Sequence, residues 1–140
     1  MGFTRILKGL LVLGILAPGI ATAHSQSQIE ARYSAAYNHC MASGEAAQGV
    51  DPAMQDCTRQ EIDRQNDRLN QTYKTLMARL NAAQKATLRA TERAWIGKRD
   101  ARCRQESAPE EGGTMANLIY SGCILDETIK RTVWLEKYGG

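Results

Sequence analysis

The chain has 140 residues, of which 43% are hydrophobic and 24% are charged, and its formal net charge at neutral pH is +3. This length suits one compact domain and excludes a second domain of ordinary size. The small net charge does not indicate a polyanionic binding partner, and no nucleic-acid partner is predicted.

The first 23 residues have the composition of a secretory signal peptide. Arg5 and Lys8 precede an apolar run that is interrupted at Pro18 and followed by a small-residue triplet ending at Ala23. A membrane anchor is the alternative, but a spanning helix needs about 20 predominantly apolar residues, and this run is shorter. We therefore predict cleavage after Ala23 and a periplasmic or secreted protein. Residues 24–140 would then form the mature domain, with a net charge of +1 and no membrane span.

Cysteine content indicates two disulfides. Cys40, Cys57, Cys103 and Cys123 all lie in the predicted mature domain. Because exported proteins meet an oxidising compartment, four cysteines favour two bridges, for which three pairings are possible. No Cys-x-x-Cys motif occurs, and the two histidines do not supply the ligand spacing of a zinc or haem site. We therefore predict no metal and no cofactor.

The first two elements are predicted to be helices. Apolar residues recur at spacings of three and four in the first, which is expected from Gln28 to Ser43 and is ended by Gly44. Asp51 as N-cap and Pro52 at the first helical position begin the second helix. One side of that helix is expected to pack against other helices, through Ile62, Asn66, Leu69, Tyr73, Leu76 and Leu80.

Two further helices complete the predicted fold. Asn81 followed by Gln84 resembles a capping box, so a third helix is expected from Ala82 to Gln105. A fourth helix follows Gly112 and Gly113 and runs from Thr114 to Lys137. Its apolar positions are Met115, Leu118, Gly122, Leu125, Ile129, Thr132 and Leu135, while Asp126 with Lys130 and Glu127 with Arg131 form solvated pairs four residues apart. The fold class is all-α, a small disulfide-stapled bundle of about four helices.

This helix order favours one of the three disulfide pairings. Cys40 lies near the end of the first helix and Cys57 in the first turns of the second, so an antiparallel pair brings them together. Cys103 and Cys123 flank the loop between the third and fourth helices in the same way. We predict the local pairing, Cys40 with Cys57 and Cys103 with Cys123.

The segment from Glu92 to Cys103 allows two interpretations. Trp95, Arg99 and Cys103 share one stripe of the third helix, and Ile96 and Asp100 share the next. In the favoured interpretation Trp95 and Ile96 are core residues, and Arg99 or Asp100 forms a charge pair with another helix.

In the alternative interpretation the same segment is a basic contact surface. It would consist of Lys98, Arg99, Arg102 and Arg104. These positions span more than half of the helix circumference, so they cannot all face one partner.

Catalytic patterns are absent from the sequence. Adjacent residues on a helix point about 100° apart, so His39 and Cys40 do not form a nucleophile and base pair. There is no glycine-rich phosphate loop, and Glu110 and Glu111 lie in a glycine-flanked loop where carboxylates are usually solvated. We therefore predict that the protein is not an enzyme.

Several elements together resemble the domain of LprI-like lysozyme inhibitors, a family formerly described as a domain of unknown function. These elements are LNQTYKTLMARL, QKATLRATERAWIGKRDARC, GGTMANLIYSGC and DETIKRTVWLE, with Cys57 before them. The resemblance covers nearly all of the predicted mature domain. It implies an exported, disulfide-bonded helical domain that inhibits lysozyme. The sequence departs from the family at Asn81-Ala82-Ala83, where a proline-containing helix start is typical.

The first functional hypothesis is therefore a cell-envelope binding protein whose partner is lysozyme or another peptidoglycan hydrolase. Donors from Lys98, Arg99, Arg102 or the loop at Gly112 and Gly113 would meet the two carboxylates of a glycosidase cleft. The alternative hypothesis is a non-enzymatic structural or accessory periplasmic domain with an unknown partner.

Overall fold

The computed structural model describes residues 26–138, and the predicted signal peptide lies outside these residues. Residues 26–30 are helical, and they are followed by two short helices, α1 (Ala35–Met41) and α2 (Gly44–Ala47). Three long helices form the rest: α3 (Asp51–Arg79), α4 (Ala82–Ser107) and α5 (Thr114–Lys137), with a 3-10 turn at Ala108–Glu110. The described residues contain no strand, which confirms the all-α prediction.

The prediction that the first helix is one continuous element is wrong. The chain turns at residues 31–34, and α1 begins after Ser34, whose side chain accepts a hydrogen bond from the backbone N–H of Tyr37 at 3.0 Å. The predicted end at Ser43 agrees with the structure within two residues, because α1 ends at Met41, and Gly44 then begins the separate short helix α2. The cause at Ser34 is a side chain that competes with the helical backbone for hydrogen bonds, which favours a cap over a helix interior.

The start of α3 differs from the prediction by one residue. Val50 is the N-cap, and Asp51 and Pro52 both lie in the first turn. The carboxylate of Asp51 accepts a hydrogen bond from the Thr114 hydroxyl instead of capping its own helix. This contact joins the start of α3 to the start of α5.

The break between α3 and α4 is where the sequence places it. The Asn81 side chain accepts from the backbone N–H of Gln84 at 2.9 Å, and the Gln84 side chain accepts from the Asn81 N–H at 3.0 Å. This reciprocal capping box satisfies two N–H groups that a helix start leaves open. The helix that it begins, α4, ends at Ser107, two residues beyond the predicted end.

The central element of the bundle is α5. Nine of its residues are buried, against five in α3 and two in α4, and α3 and α4 pack on it from different sides. Leu135 packs with Leu76 of α3 and Leu88 of α4, while Leu125 and Ile129 pack with Ile29. Met115 is exposed, although the sequence predicts it near the core. No helix in residues 26–138 is both long enough and apolar enough to cross a bilayer.

Both disulfides have the local pairing. Cys40 bonds to Cys57 with their Cα atoms 5.8 Å apart, and Cys103 bonds to Cys123 with their Cα atoms 5.5 Å apart. The first bridge fastens α1 to α3, and the second fastens α4 to α5. The second bridge joins two consecutive helices, whereas the short α2 lies within the loop that the first bridge closes.

Candidate partner-binding surface

The predicted contact residues lie in three different environments. Lys98 is exposed, and it makes no hydrogen bond or ion pair within residues 26–138. Arg102 lies one turn further along α4, and Arg99 lies on a different side of the same helix. Gly112 and Gly113 precede α5 at the end of the bundle. The structure therefore brings Lys98 and Arg102 onto one stripe and separates Arg99 from them.

Arg99 points along α4 rather than outward. Its Nε and Nη2 atoms lie 2.9 and 2.8 Å from one carboxylate oxygen of Asp100, and its guanidinium carbon lies 5.0 Å from the Trp95 ring centroid. The side chain is only 17% exposed. The prediction that Arg99 or Asp100 forms a charge pair with another helix is wrong, because the two residues bind each other.

The charge pair between α4 and α5 is made by Glu92 and Arg131, a pair that the sequence analysis missed. The Arg131 Nε and Nη2 atoms donate to one Glu92 oxygen at 2.9 and 2.5 Å. The Arg131 guanidinium also lies 3.7 Å from the Trp134 ring centroid and 5.4 Å from that of Trp95. Arginine over an indole ring is a favourable cation–π contact, so Trp95 is half-buried between the cations Arg99 and Arg131.

The two ion pairs predicted within α5 do not form. Glu127 accepts from Lys130 at 2.8 Å and from Arg102 of α4 at 3.0 Å, rather than from Arg131. Asp126 accepts from the hydroxyl of Tyr33 at 2.7 Å, rather than from Lys130. Asp126 therefore has its partner in another element, whereas Glu127 pairs both within α5 and with α4.

Ile96 is not a core residue. Its side chain is 44% exposed, because α4 packs chiefly against α5 and leaves most of its circumference open. A helix with one packing neighbour buries a narrower stripe than a helix enclosed by several. The favoured interpretation is therefore right about packing for Cys103 and in part for Trp95, and wrong for Ile96.

Arg102 faces outward with Lys98. The Arg102 side chain is 59% exposed although it reaches Glu127. Exposed pairs of this kind contribute at most about 1 kcal/mol, so the Arg102 guanidinium can exchange Glu127 for a partner's carboxylate at little cost.

The glycine loop borders an open groove of about 560 Å³ that Arg104, Ser107 and Asn117 also line. Gly112 has φ +92°, a conformation that other residues rarely adopt, so the turn requires glycine there. No side chain caps the first turn of α5, and its N–H groups are hydrogen-bond donors at the positive end of the helix dipole. Glu111 lines the same groove and limits its positive charge.

A separate polar cluster fixes the N-terminal arm, defined as residues 26–41, against α3. The Glu61 carboxylate is fully buried and accepts from the Ser34 N–H at 2.9 Å, the Ser34 hydroxyl at 2.5 Å and the Gln65 amide at 2.7 Å. Burial by itself would raise the pKa of Glu61, but the hydrogen bonds from Ser34, Gln65 and Arg64 outweigh it and leave the pKa below its ordinary value. Burial and the hydrogen bond to Asp126 raise the pKa of the Tyr33 hydroxyl well above its usual range.

The described residues contain no group of three or more histidine, cysteine or acidic side chains placed to hold a metal ion. Among the predicted contact residues, Lys98 and Arg102 supply exposed cationic donors, and backbone N–H donors lie at the start of α5 beside the glycine loop.

Comparison with known proteins identifies related sequences. A family model described as "Lysozyme inhibitor LprI" matches residues 40–135. An uncharacterized protein from Rhizobium meliloti (strain 1021) is 31% identical, over an alignment that covers 58% of this chain and 68% of the relative. No solved structure gives a significant match.

Proposed function

Because this chain belongs to the LprI lysozyme inhibitor family, we propose that it is an exported protein that binds a lysozyme and inhibits it without catalysing a reaction. The observation that carries the proposal is the extent of the family match. It runs from Cys40, the first cysteine, to Leu135, the last buried residue of α5. The matched segment therefore contains both disulfides, α3, α4 and all but the last two residues of α5.

The proposed contact surface consists of Lys98, Arg102 and the loop at Gly112 and Gly113. A lysozyme cleaves its substrate with two carboxyl groups that flank the glycosidic bond. A rigid inhibitor blocks such a cleft by filling it and by offering donors to those carboxyl groups. The glycine loop is narrow because it lacks two side chains, and Lys98 and Arg102 of α4 would supply charge-assisted hydrogen bonds.

Rigidity supports this assignment. The Cys103–Cys123 disulfide joins α4, at the residue after Arg102, to α5. The 3-10 turn continues directly from α4 into the loop. Ordering a flexible loop on binding reduces affinity, so a loop whose two flanking helices are joined by a disulfide retains more of its contact energy. We propose that Arg99 holds Trp95 and does not touch the partner.

The direct test is an inhibition assay. The oxidised protein is added to lysozymes of several classes, and cell-wall clearing is followed by turbidity. We expect saturable inhibition of at least one class with a stoichiometry near one to one. Absence of inhibition at micromolar excess in all classes would reject the proposal, and capture of a different envelope protein would then favour the accessory-domain hypothesis.

Matched variants locate the surface. Lys98→Ala with Arg102→Ala removes two outward cations, and we expect weaker inhibition with an unchanged fold. Arg89→Ala with Arg93→Ala removes two exposed cations from the same helix and serves as the control. Equal inhibition by the two double variants would exclude the Lys98 stripe from the interface.

A bulky loop residue gives a second test. Gly113 has φ −110°, and a Cβ atom there would have an ordinary contact of 3.5 Å with the Glu110 carbonyl oxygen. Gly113→Trp therefore keeps the backbone conformation while it widens the loop. We expect it to abolish inhibition if the loop enters the cleft.

A further inference from the structure

The first half of α4 carries a row of unpaired cations. Lys85, Arg89 and Arg93 recur every four residues, and none of them forms an ion pair within residues 26–138. Glu92 lies among them in sequence, but its carboxylate is bound to Arg131 of α5. This row, named the cation row, is exposed at Arg89 and Arg93 and half-buried at Lys85, and no acid among residues 26–138 pairs with it.

The cation row is unfavourable for the isolated helix. Like charges four residues apart on a helix repel each other. Lys85 also lies near the N-terminus of α4, where the helix dipole disfavours a cation, and no acidic residue lies in the first turn. The spacing of these residues is therefore not explained by the stability of α4.

The cations in the first half of α3 are arranged differently. Arg59 pairs with Asp56 at 2.8 Å, and Arg64 pairs with Glu61 at 3.3 Å. Both pairs use the i, i+3 spacing that supports a helix. The cation row lacks this mixture of signs, and unlike the separate unpaired cations Lys74 and Arg79 of α3 it places three like charges on neighbouring turns.

The residues around the cation row have short side chains, and one of them, Ile96, is a large apolar residue. Ala86, Ala90, Ala94 and Gly97 are all exposed on α4, so no long side chain rises between the cations and solvent there. Ile96 lies one turn beyond Arg93 and is largely exposed. A flat surface can therefore approach the helix closely and contact both the cations and an apolar residue.

We propose that the cation row, together with Ile96, docks on an anionic lipid surface. The row spans about 12 Å along the axis of α4, since eight helical residues separate Lys85 from Arg93, and it lies on a convex helix face. Extended anionic polymers are bound in grooves, whereas a bilayer presents a plane of charge with an apolar layer below it. Ile96 fits the plane better than it fits a soluble polyanion. This proposal is independent of lysozyme binding.

The test is co-sedimentation of the oxidised protein with vesicles. Binding is expected with equimolar phosphatidylglycerol and phosphatidylcholine, and it should fall as salt is added, because the contact is electrostatic. Each cation near an anionic surface contributes about fivefold in partitioning, so Arg89→Ala with Arg93→Ala should weaken binding about 30-fold. Ile96→Ser should weaken it further without a loss of thermal stability.

The control is Lys74→Ala with Arg79→Ala, which makes the same charge change on exposed positions of α3. It should retain the binding of the parent protein. Equal binding to pure phosphatidylcholine, or an equal loss in the control, would overturn the proposal. Binding to lipid-free dextran sulfate but not to vesicles would also overturn it and assign the row to an anionic polymer. Lysozyme inhibition by the Arg89 and Arg93 variant should stay intact, which separates the two proposals.

Discussion

The long helices α3 and α4 are similar in length and differ in how they are held. They have 29 and 26 residues, both pack on α5, and each contributes one disulfide cysteine. Five residues of α3 are buried, whereas only Leu88 and Cys103 of α4 are. The reason is that α3 also contacts α1 and α2, while α4 has α5 as its main neighbour.

This difference assigns separate roles to the two helices. A helix enclosed on several sides supplies packing. A helix attached at a few points leaves a long surface open to partners. In α4 these points are Leu88, the Glu92–Arg131 pair, the half-buried Trp95 and the Cys103 bridge. The proposed lysozyme contacts and the cation row both lie on the open surface that remains.

The largest difference is expected for one apolar truncation made at two places. Ile129 on α5 is 1% exposed and packs with Ile29 and Leu125, near Ile62 of α3. Ile129→Ala should lower the free energy of unfolding by about 2–5 kcal/mol, since it removes buried methyl groups and leaves a cavity. Ile96→Ala on α4 should change it by less than about 0.5 kcal/mol. Urea unfolding followed by circular dichroism measures both, and similar losses would mean that Ile96 is covered in solution.

The disulfides should differ in local rather than global effect. They join residues 17 and 20 apart, so the chain-entropy model gives each about 3 kcal/mol. Replacing Cys103 and Cys123 by serine should also speed hydrogen exchange in the second half of α4, because Cys103 is the one buried residue in that half. Replacing Cys40 and Cys57 should leave exchange in the second half of α3 nearly unchanged, because Leu76 still anchors it. Equal local effects in the two helices would contradict the comparison.

The arm on α3 provides a pH-dependent contrast. Glu61→Gln removes the carboxylate that accepts from the N–H and the hydroxyl of Ser34. The free energy of unfolding should therefore fall by about 1–3 kcal/mol at neutral pH. The folded-state pKa of Glu61 is lowered, so its contribution is complete above the unfolded pKa near 4.3 and is lost as pH falls through the folded value. The difference from the parent protein should therefore shrink below about pH 4.

Denaturant unfolding at neutral pH and at about pH 3 measures this difference. Asp63→Asn is the control, because it removes an exposed carboxylate from the same helix. A Glu61→Gln deficit that persists unchanged in acid would show that the charge of Glu61 does not stabilise the arm.

Local patterns made much of the fold predictable. The capping box at Asn81 and Gln84 lies within four residues, and the glycines before Thr114 mark the start of α5 directly in the sequence. Once the order of the long helices was set, the local disulfide pairing followed. Each of these features depends on residues that are near in sequence or on the order of neighbouring helices.

The features that the sequence analysis missed join distant residues. Ser34 and Glu61 are 27 residues apart, and Glu92 and Arg131 are 39 apart. A buried glutamate and an ordinary surface glutamate look alike in one sequence, because only the tertiary partners distinguish them. The exposure of Ile96 was missed for a related reason, since helical spacing does not reveal how many neighbours a helix has. Glu92 lies three positions before Trp95, on the same side of the helix, and this spacing was the available signal for its pair. The spacing was not sufficient to identify Arg131 as the partner.

The smallest predicted effect tests whether the backbone of α4 limits its stability. Gly97 lies in mid-helix, is exposed, and has open space where a Cβ atom would be. Gly97→Ala should therefore raise the free energy of unfolding by about 0.5–1 kcal/mol, through lower backbone entropy in the unfolded chain. Gly112→Ala should have the opposite sign, because φ +92° is strained for alanine although no atom obstructs it. Thermal unfolding of the two variants measures both signs, and a loss of stability in Gly97→Ala would mean that another surface lies against α4 at that position.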